Sequence, residues 1–209
     1  MFFDYKIPVP VRVAEYKLIT PPAVEPFTVE EAMSFLRVDD ESETPLVADL
    51  IKVAREYVEL HTDRALIQQT WSATFDRWPR FERKIVLAKV PLISVTGITY
   101  FDENNVGGTV FSDFYSELGD AATLGFIERN YNAEWPRLYN RSNAITITFK
   151  AGYGTTGAAV PASLKHAMKL VISNFYDQRS PVNVGNIVSE MPNNLRALIE
   201  SYRVGGYVV

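Results

Sequence analysis

The sequence predicts an α+β fold, in which a mostly antiparallel β domain is inserted into an α-helical body. Apolar residues recur at the helical period in the first and last thirds of the chain and at a period of two between them. The chain has 209 residues, of which 47% are hydrophobic and 22% charged. That composition is typical of a folded chain with an ample core, either one globular unit or two small ones.

The first 26 residues predict an extended, Pro-rich arm, because each proline fixes φ and removes a backbone donor. The prolines of this arm are Pro8, Pro10, Pro21, Pro22 and Pro26.

Two N-terminal helices follow the arm. Thr28 and Glu31 form the pattern of a capping box, which predicts a short helix that ends near Val38. Thr44 is the expected N-cap of the second helix, with Pro45 at its first position. Helical spacing predicts that the buried side of the second helix consists of Leu46, Leu50, Ala54, Tyr57, Val58 and His61. Its outer side should carry two i,i+4 ion pairs, Lys52 with Glu56 and Arg55 with Glu59.

The period of two covers strands near 71–75, 85–87, 92–101 and 144–150. Residues 104–108 contain a turn signal between two strands, and residues 120–141 give no clear assignment. Helical spacing returns after Pro161, and a last helix is predicted over residues 193–202. The predicted organisation is therefore an arm at 1–26, a helical body at 27–68 plus 160–209, and an inserted β domain at 69–159.

Residues 152–157 fit the G-x-G-x-x-G pattern of a dinucleotide cradle. The preceding strand alternates apolar and polar residues, whereas a central Rossmann strand is apolar on both faces. Pro161 places the helix start several residues after the last glycine. The acidic residue about 20 positions further on, Asp177, lies in a helical pattern and not at the end of a second strand, where a dinucleotide site would need it. We therefore interpret the pattern as a strand-to-helix connection and predict no cofactor.

Catalytic residues are scarce in the sequence. There is no cysteine, and the two histidines are interpreted as a core or capping residue, His61, and a surface residue, His166. The acidic run at 39–43 lacks the spaced oxygens and the central glycine of a calcium loop. We predict neither a metal site nor an enzyme.

Two segments suggest binding instead. Residues 77–84 interleave basic and aromatic side chains, which predicts a weak DNA or subunit contact through Arg77, Arg80, Arg83 and Lys84, with an exposed hairpin loop as the alternative. The C-terminus has a diglycine hinge followed by a β-prone apolar end, so it suits a partner's sheet or groove, or is a frayed tail. The residues concerned are Val204, Gly205, Gly206, Tyr207, Val208 and Val209.

Composition limits the partners of the chain. A formal net charge of −4 argues against general affinity for nucleic acid. The N-terminus lacks the pattern of a signal peptide, and no stretch reaches 18 apolar residues, so we expect no membrane association.

The chain from about Phe27 to Val204 resembles the long-form head–tail connector proteins of tailed bacteriophages and related gene-transfer particles, also called adaptor or head-completion proteins. The order and spacing of several segments carry the resemblance. These are FTVEEA at 27–32, FLRVD at 35–39, HTDRALI at 61–67, QTW at 69–71, PLISVT at 91–96, FKAGYG at 149–154, VPASLK at 160–165 and NFYDQR at 174–179.

The resemblance implies a structural virion protein at the head–tail interface, made in the host cytoplasm. About a dozen copies would form a ring that docks on the portal protein, extends the DNA channel and offers a platform to the next head-closure or tail protein. Genomic DNA would pass without specific binding, and a chain terminus would reach into the portal. The alternatives are another head-closure component, a tail terminator or, less in keeping with the charge, a DNA-binding module.

Overall fold

The computed structural model describes residues 13–78, 83–119, 124–177 and 193–204. The protein has the predicted α+β fold, with helices and antiparallel sheets. It divides into two compact units. The helical unit contains residues 22–68 and, of the described residues, 152–177 and 193–204, and the sheet unit contains residues 13–21 and the described part of 69–151.

The helical unit contains α1 (Val29–Leu36), α2 (Thr44–Thr62), α3 (Ala162–Asp177) and α4 (Asn193–Tyr202). Its core forms where apolar side chains of these helices meet. The largest fully buried members are Ile51, Leu66, Ile67, Leu164, Met168 and Ile172. One side of α3 is buried at helical spacing, although Phe175 on that side is 40% exposed; the buried residues are Leu164, Ala167, Met168, Val171 and Ile172.

The starts of the first two helices differ in their capping. The capping box is confirmed, because the Thr28 side chain accepts from the Glu31 backbone and the Glu31 side chain accepts from the Thr28 backbone, each at 3.2 Å. α1 ends at Leu36, since Arg37 adopts a left-handed conformation with φ 59°. The predicted N-cap of α2 is wrong by one residue. Glu43 is the N-cap without a side-chain capping bond, and Thr44 is already helical.

The buried side of α2 also differs from the prediction. Val47, Ile51 and Thr62 are buried, as is Arg55, which the sequence placed on the outer side. Leu46 is 37% exposed, although it was predicted to be buried. The physical reason is that α2 has an apolar surface wider than one stripe, so spacing alone does not choose the buried part.

The sheet unit has a five-stranded sheet of order β1-β2-β8-β4-β5 and a three-stranded sheet of order β3-β7-β6. The strands are β1 (Val13–Thr20), β2 (Gln69–Phe75), β3 (Lys84–Leu87), β4 (Leu92–Phe101), β5 (Gly107–Val110), β6 (Tyr115–Leu118), β7 (Gly125–Arg129) and β8 (Ile145–Ala151). The turn predicted at 104–108 connects β4 to β5, where Asn105 has φ 61°. The unassigned stretch 120–141 contains β7.

Part of the N-terminal segment, which was predicted to be extended, is a β-strand. Residues Val13–Thr20 form β1, which pairs antiparallel with β2 at one edge of the larger sheet. Pro21 and Pro22 directly follow the strand and cannot donate to a ladder, which explains the end of the pairing. Residues 1–12 lie outside the described part of the chain.

Among the described residues the chain passes between the units three times, and hydrogen-bonded pairs flank two of these points, Gln68–Gln69 and Ala151–Gly152. In the sheet unit, Gln69 and Ala151 are partners at the ends of β2 and β8. In the helical unit, Gln68 N–H donates to the Gly154 carbonyl at 2.8 Å, and Tyr153 N–H donates to the Leu66 carbonyl at 3.3 Å. Residues 152–159 belong to the helical unit.

Candidate assembly surfaces

The glycine-rich segment at 152–157 does not have the setting of a nucleotide cradle. β8 is antiparallel to both of its neighbours, β2 and β4, so it is not a strand of a parallel Rossmann sheet. Gly157 begins a short 3₁₀ turn, and α3 starts only at Ala162. Gly152 has φ +140°, and a Cβ there would lie 2.7 Å from backbone atoms of Ile67 and Gln68. The glycine is thus required by a close backbone crossing.

The two histidines have structural contacts. His61 is half-buried, stacks on Tyr57 with ring centroids 4.1 Å apart, and places Nδ1 2.8 Å from the Tyr57 carbonyl. His166 is exposed and meets the Phe35 ring edge-on at 6.2 Å. Among the described residues, no group of three histidine or acidic side chains is arranged to hold a metal ion. Within the same ranges, no helix combines the length and apolarity needed to cross a bilayer.

The basic segment at 77–84 is partly built into the sheet unit. Trp78 is buried, stacks on Trp135 at 4.3 Å, and donates from Nε1 to the Pro136 carbonyl at 2.8 Å. Its ring is therefore not available for stacking on a base. The guanidinium of Arg83 donates to the Arg129 carbonyl at 2.7 and 3.1 Å.

The other cations of this segment differ in accessibility. Arg77 and Lys84 are exposed, and the Lys84 ammonium lies 4.4 Å from the centroid of the Phe126 ring. Arg80 lies outside the described residues. A DNA or subunit contact through these cations stays a prediction.

The C-terminal end of the described chain is held at the end of α2. Val204 N–H donates to the Thr62 carbonyl at 3.2 Å, and Arg64 Nε donates to the Tyr202 carbonyl at 2.6 Å. Arg64 is itself buried. The hinge and apolar end predicted for partner contact, Gly205 to Val209, lie outside the described residues, and they continue from this fixed point.

A buried charge cluster joins three parts of the helical unit. Arg55, whose side chain is 9% exposed, pairs with Glu25 and Glu59 at 2.9 Å each and with the exposed Glu56 at 3.5 Å. Glu59 also accepts from Leu66 N–H at 2.8 Å. Desolvation lowers the pKa of Arg55, but the carboxylates of Glu59 and Glu25 outweigh it and the net shift is upward. The cluster stabilises the segment before α1, α2 and the loop after it.

The spacing of Arg55 alone could not reveal this cluster, because i,i+4 pairs such as Arg55 with Glu59 are common on exposed helix surfaces. A signal was present in the neighbours. Ile51, Val58 and Thr62 flank Arg55 at helical spacing on the side that is buried. The other predicted pair, Lys52 with Glu56, is wrong, because Lys52 contacts Asp49 instead, at 3.2 Å.

α2 carries a second apolar surface beside its buried one. Leu46, Val53 and Leu60 recur every seven residues and are 37%, 44% and 71% exposed. Leu50 and Tyr57 lie between them at the alternating three- and four-residue spacing of a helix–helix seam, and both are partly buried against the core. We call the three exposed side chains the α2 stripe. Exposed apolar residues in a continuous row are typical of protein–protein interfaces.

Comparison with known proteins gives one consistent result. No protein-family model matches the sequence, and no curated protein matches it. Solved structures do match. The chain has the fold of gene-transfer-agent neck and virion chains.

One similar chain comes from the neck of an empty gene transfer agent (GTA) particle, computed with C6 symmetry, at 24% identity and a TM-score of 0.73, covering 92% of this chain and 98% of that one. A chain in the virion of the native GTA particle is 24% identical with a TM-score of 0.73, and the match covers 91% of this chain and 98% of that one. A chain from the neck of the native GTA particle, computed with C12 symmetry, is 26% identical with a TM-score of 0.68. The match covers 91% of this chain and 98% of that one. The similarity includes both units, because either unit alone is far shorter than the matched length.

Proposed function

We propose that this protein is a structural subunit of the neck of a phage-like particle, where it assembles with copies of itself into a ring. The observation that carries the proposal is the similarity of more than nine-tenths of the chain to subunits of symmetric GTA necks. The α2 stripe supports it, since a ring needs a self-contact surface on every copy.

Within the neck, we propose the role of head–tail adaptor. The ring would dock on the portal, continue the DNA channel and present a platform to the next head-closure or tail protein. The net charge of −4 suits a channel component, because an acidic wall repels phosphate and lets DNA slide. The anchored Val204 supports a terminal contact, since the last five residues extend from a fixed point on the helical unit.

The proposal is tested by binding of the purified chain to portal complexes of its own particle, viewed by electron microscopy. A version that ends at Val204 is compared with the full chain. We expect rings seated on the portal with the full chain and their loss with the shortened one. The bond from Val204 N–H to Thr62 is retained in the shortened version, so its fold should be unchanged by circular dichroism.

Two other results would redirect the proposal. Rings of both versions on the portal would keep the adaptor role and remove the terminal anchor. If neither version binds portal although both are folded, the adaptor role is refuted. Addition of tail tubes or tail-side proteins would then test a head-closure or tail-terminator role.

A further inference from the structure

The α2 stripe is an exposed apolar surface with a defined shape. From Leu46 to Leu60 it runs 14 residues, which is about 21 Å at 1.5 Å per residue. Its seven-residue repeat is the spacing at which a helix packs along another helix. The occupant is therefore expected to be helical and of similar length.

The charges beside the stripe add a second condition. Asp49 and Glu56, both exposed, lie on one side of the stripe because they precede Val53 and Leu60 by four residues. Lys52 neutralises part of this charge through its contact with Asp49 at 3.2 Å, and Arg55, which pairs more closely with Glu25 and Glu59, lies 3.5 Å from Glu56. A small negative excess remains next to the apolar row, so a partner surface that is apolar with positive neighbours would be complementary.

The helical unit presents such a surface elsewhere. Phe35 on α1 is 39% exposed, and on α3 the exposed His166 lies edge-on to its ring at 6.2 Å. The Lys169 ammonium lies 5.9 Å from the centroid of the same ring, and the half-buried Lys165 lies one turn before it. We call Phe35, His166, Lys165 and Lys169 the α1–α3 face. The face combines an exposed aromatic ring with a small positive excess, because its two lysines on the 16-residue α3 outnumber the exposed Glu31, which lies one turn before Phe35.

We propose that the α2 stripe of one copy packs on the α1–α3 face of the next copy, and that this contact closes the ring. The proposal rests on the proposed function, because a ring of more than two copies requires two different surfaces on each subunit. The stripe and the face are different, apolar and opposite in local charge, and both belong to the helical unit. A symmetric contact of stripe with stripe would bring the same acidic residues together and would stop at a dimer.

Cysteine labelling tests the stripe directly, because the chain has no native cysteine. Leu60→Cys introduces a thiol at a position that is 71% exposed in the single chain, and Val106→Cys does so at 59% in the sheet unit as the control. Labelling rates with a maleimide are measured over a range of protein concentrations up to that at which rings form. When nine-tenths of the chains are assembled, the Leu60→Cys rate should fall by about tenfold and the Val106→Cys rate should not change.

The proposal is overturned if the labelling rate of Leu60→Cys does not change with protein concentration, and this can happen in two ways. Fast labelling throughout means that no copy covers the stripe. Slow labelling throughout means that the stripe is already covered in the single chain. If electron microscopy shows rings while labelling stays fast, the stripe assignment fails and the proposed function stands. If no ring forms with portal either, the proposed function itself fails.

Disulfide formation then identifies the opposite surface. Leu60→Cys and Phe35→Cys chains are oxidised separately and as an equimolar mixture, and the products are separated by non-reducing electrophoresis. A covalent dimer is expected in the mixture, and neither variant alone should give one above the level of Val106→Cys. A dimer of Leu60→Cys with itself, or no dimer in a mixture that assembles, would overturn the pairing of stripe and face.

Discussion

Replacing Glu59 tests whether the buried charge cluster stabilises the helical unit. In Glu59→Ala, Arg55 loses one of its two carboxylates at 2.9 Å, and its side chain is only 9% exposed. The N–H of the fully buried Leu66 also loses its acceptor at 2.8 Å. Breaking a buried ion pair costs about 3–5 kcal/mol, and Glu25 retains part of the compensation. An orphaned buried N–H adds about 1–3 kcal/mol.

We therefore expect Glu59→Ala to lower the free energy of unfolding by about 3 kcal/mol. Glu59→Gln should cost less, because an amide oxygen still accepts from Leu66 while the charge is lost. Lys52→Ala is the control on the same helix. Its pair with Asp49 is exposed, with side-chain exposures of 58% and 74%, so its removal should cost under about 0.5 kcal/mol.

Urea unfolding followed by two signals measures these differences. The three tryptophans, Trp71, Trp78 and Trp135, all belong to the sheet unit, so fluorescence reports that unit and circular dichroism at 222 nm reports the helices. The dichroism midpoint should move for Glu59→Ala, and a lagging fluorescence midpoint would show that the units unfold separately. A loss for Glu59→Ala no larger than that for Lys52→Ala would refute the reasoning.

Two further predictions concern single positions. Gly152→Ala should cost about 3 kcal/mol or prevent folding, because the added Cβ meets Ile67 backbone at 2.7 Å at φ +140°. Gly97→Ala is the control, because no atom lies within 4 Å of the added Cβ, and it should be neutral or slightly stabilising. Thermal unfolding measures both variants, and an equal loss of stability in the two would contradict the clash at Gly152. Burial raises the pKa of Tyr16 to about 12, against a smaller lowering by the Ala88 N–H bond. The unfolded phenol ionises near pH 10, so stability from this group is full below pH 10 and decreases between pH 10 and 12. Tyr16→Phe should flatten that part of the stability profile, and an unchanged profile would assign the loss to other groups.

Local signals in the sequence predicted most elements. The capping box at Thr28, the alternation in β8, the turn at 104–108 and the bounds of α4 all depend on residues within a few positions of each other. Such signals survive in an isolated segment, which is why they can be interpreted without knowledge of the fold. They also argued against a nucleotide cradle at Gly152, and β8 pairs antiparallel with both of its neighbours.

Long-range pairing could not be predicted in the same way. β1 pairs with β2, and the paired residues lie 50 to 62 positions apart in the sequence. Nothing in the sequence of β1 itself indicates which strand it pairs with. Trp78 lies in a basic segment typical of a DNA contact, yet it stacks on Trp135. In both cases the contacting residue is remote in sequence. The closing of the long loop between two such residues is not encoded in the residues next to either of them.

The α+β fold class and the four helices could be predicted from the sequence alone, and its lack of cysteine makes the labelling experiment possible. Only the tertiary structure decided which part of the apolar surface of α2 faces the core. Val47, Ile51 and Val58 are buried there with Arg55, while Leu46, Val53 and Leu60 are left exposed. The physical reason is that a helix with a wide apolar surface can bury only the part that its neighbouring helices cover. The rest is available to another molecule.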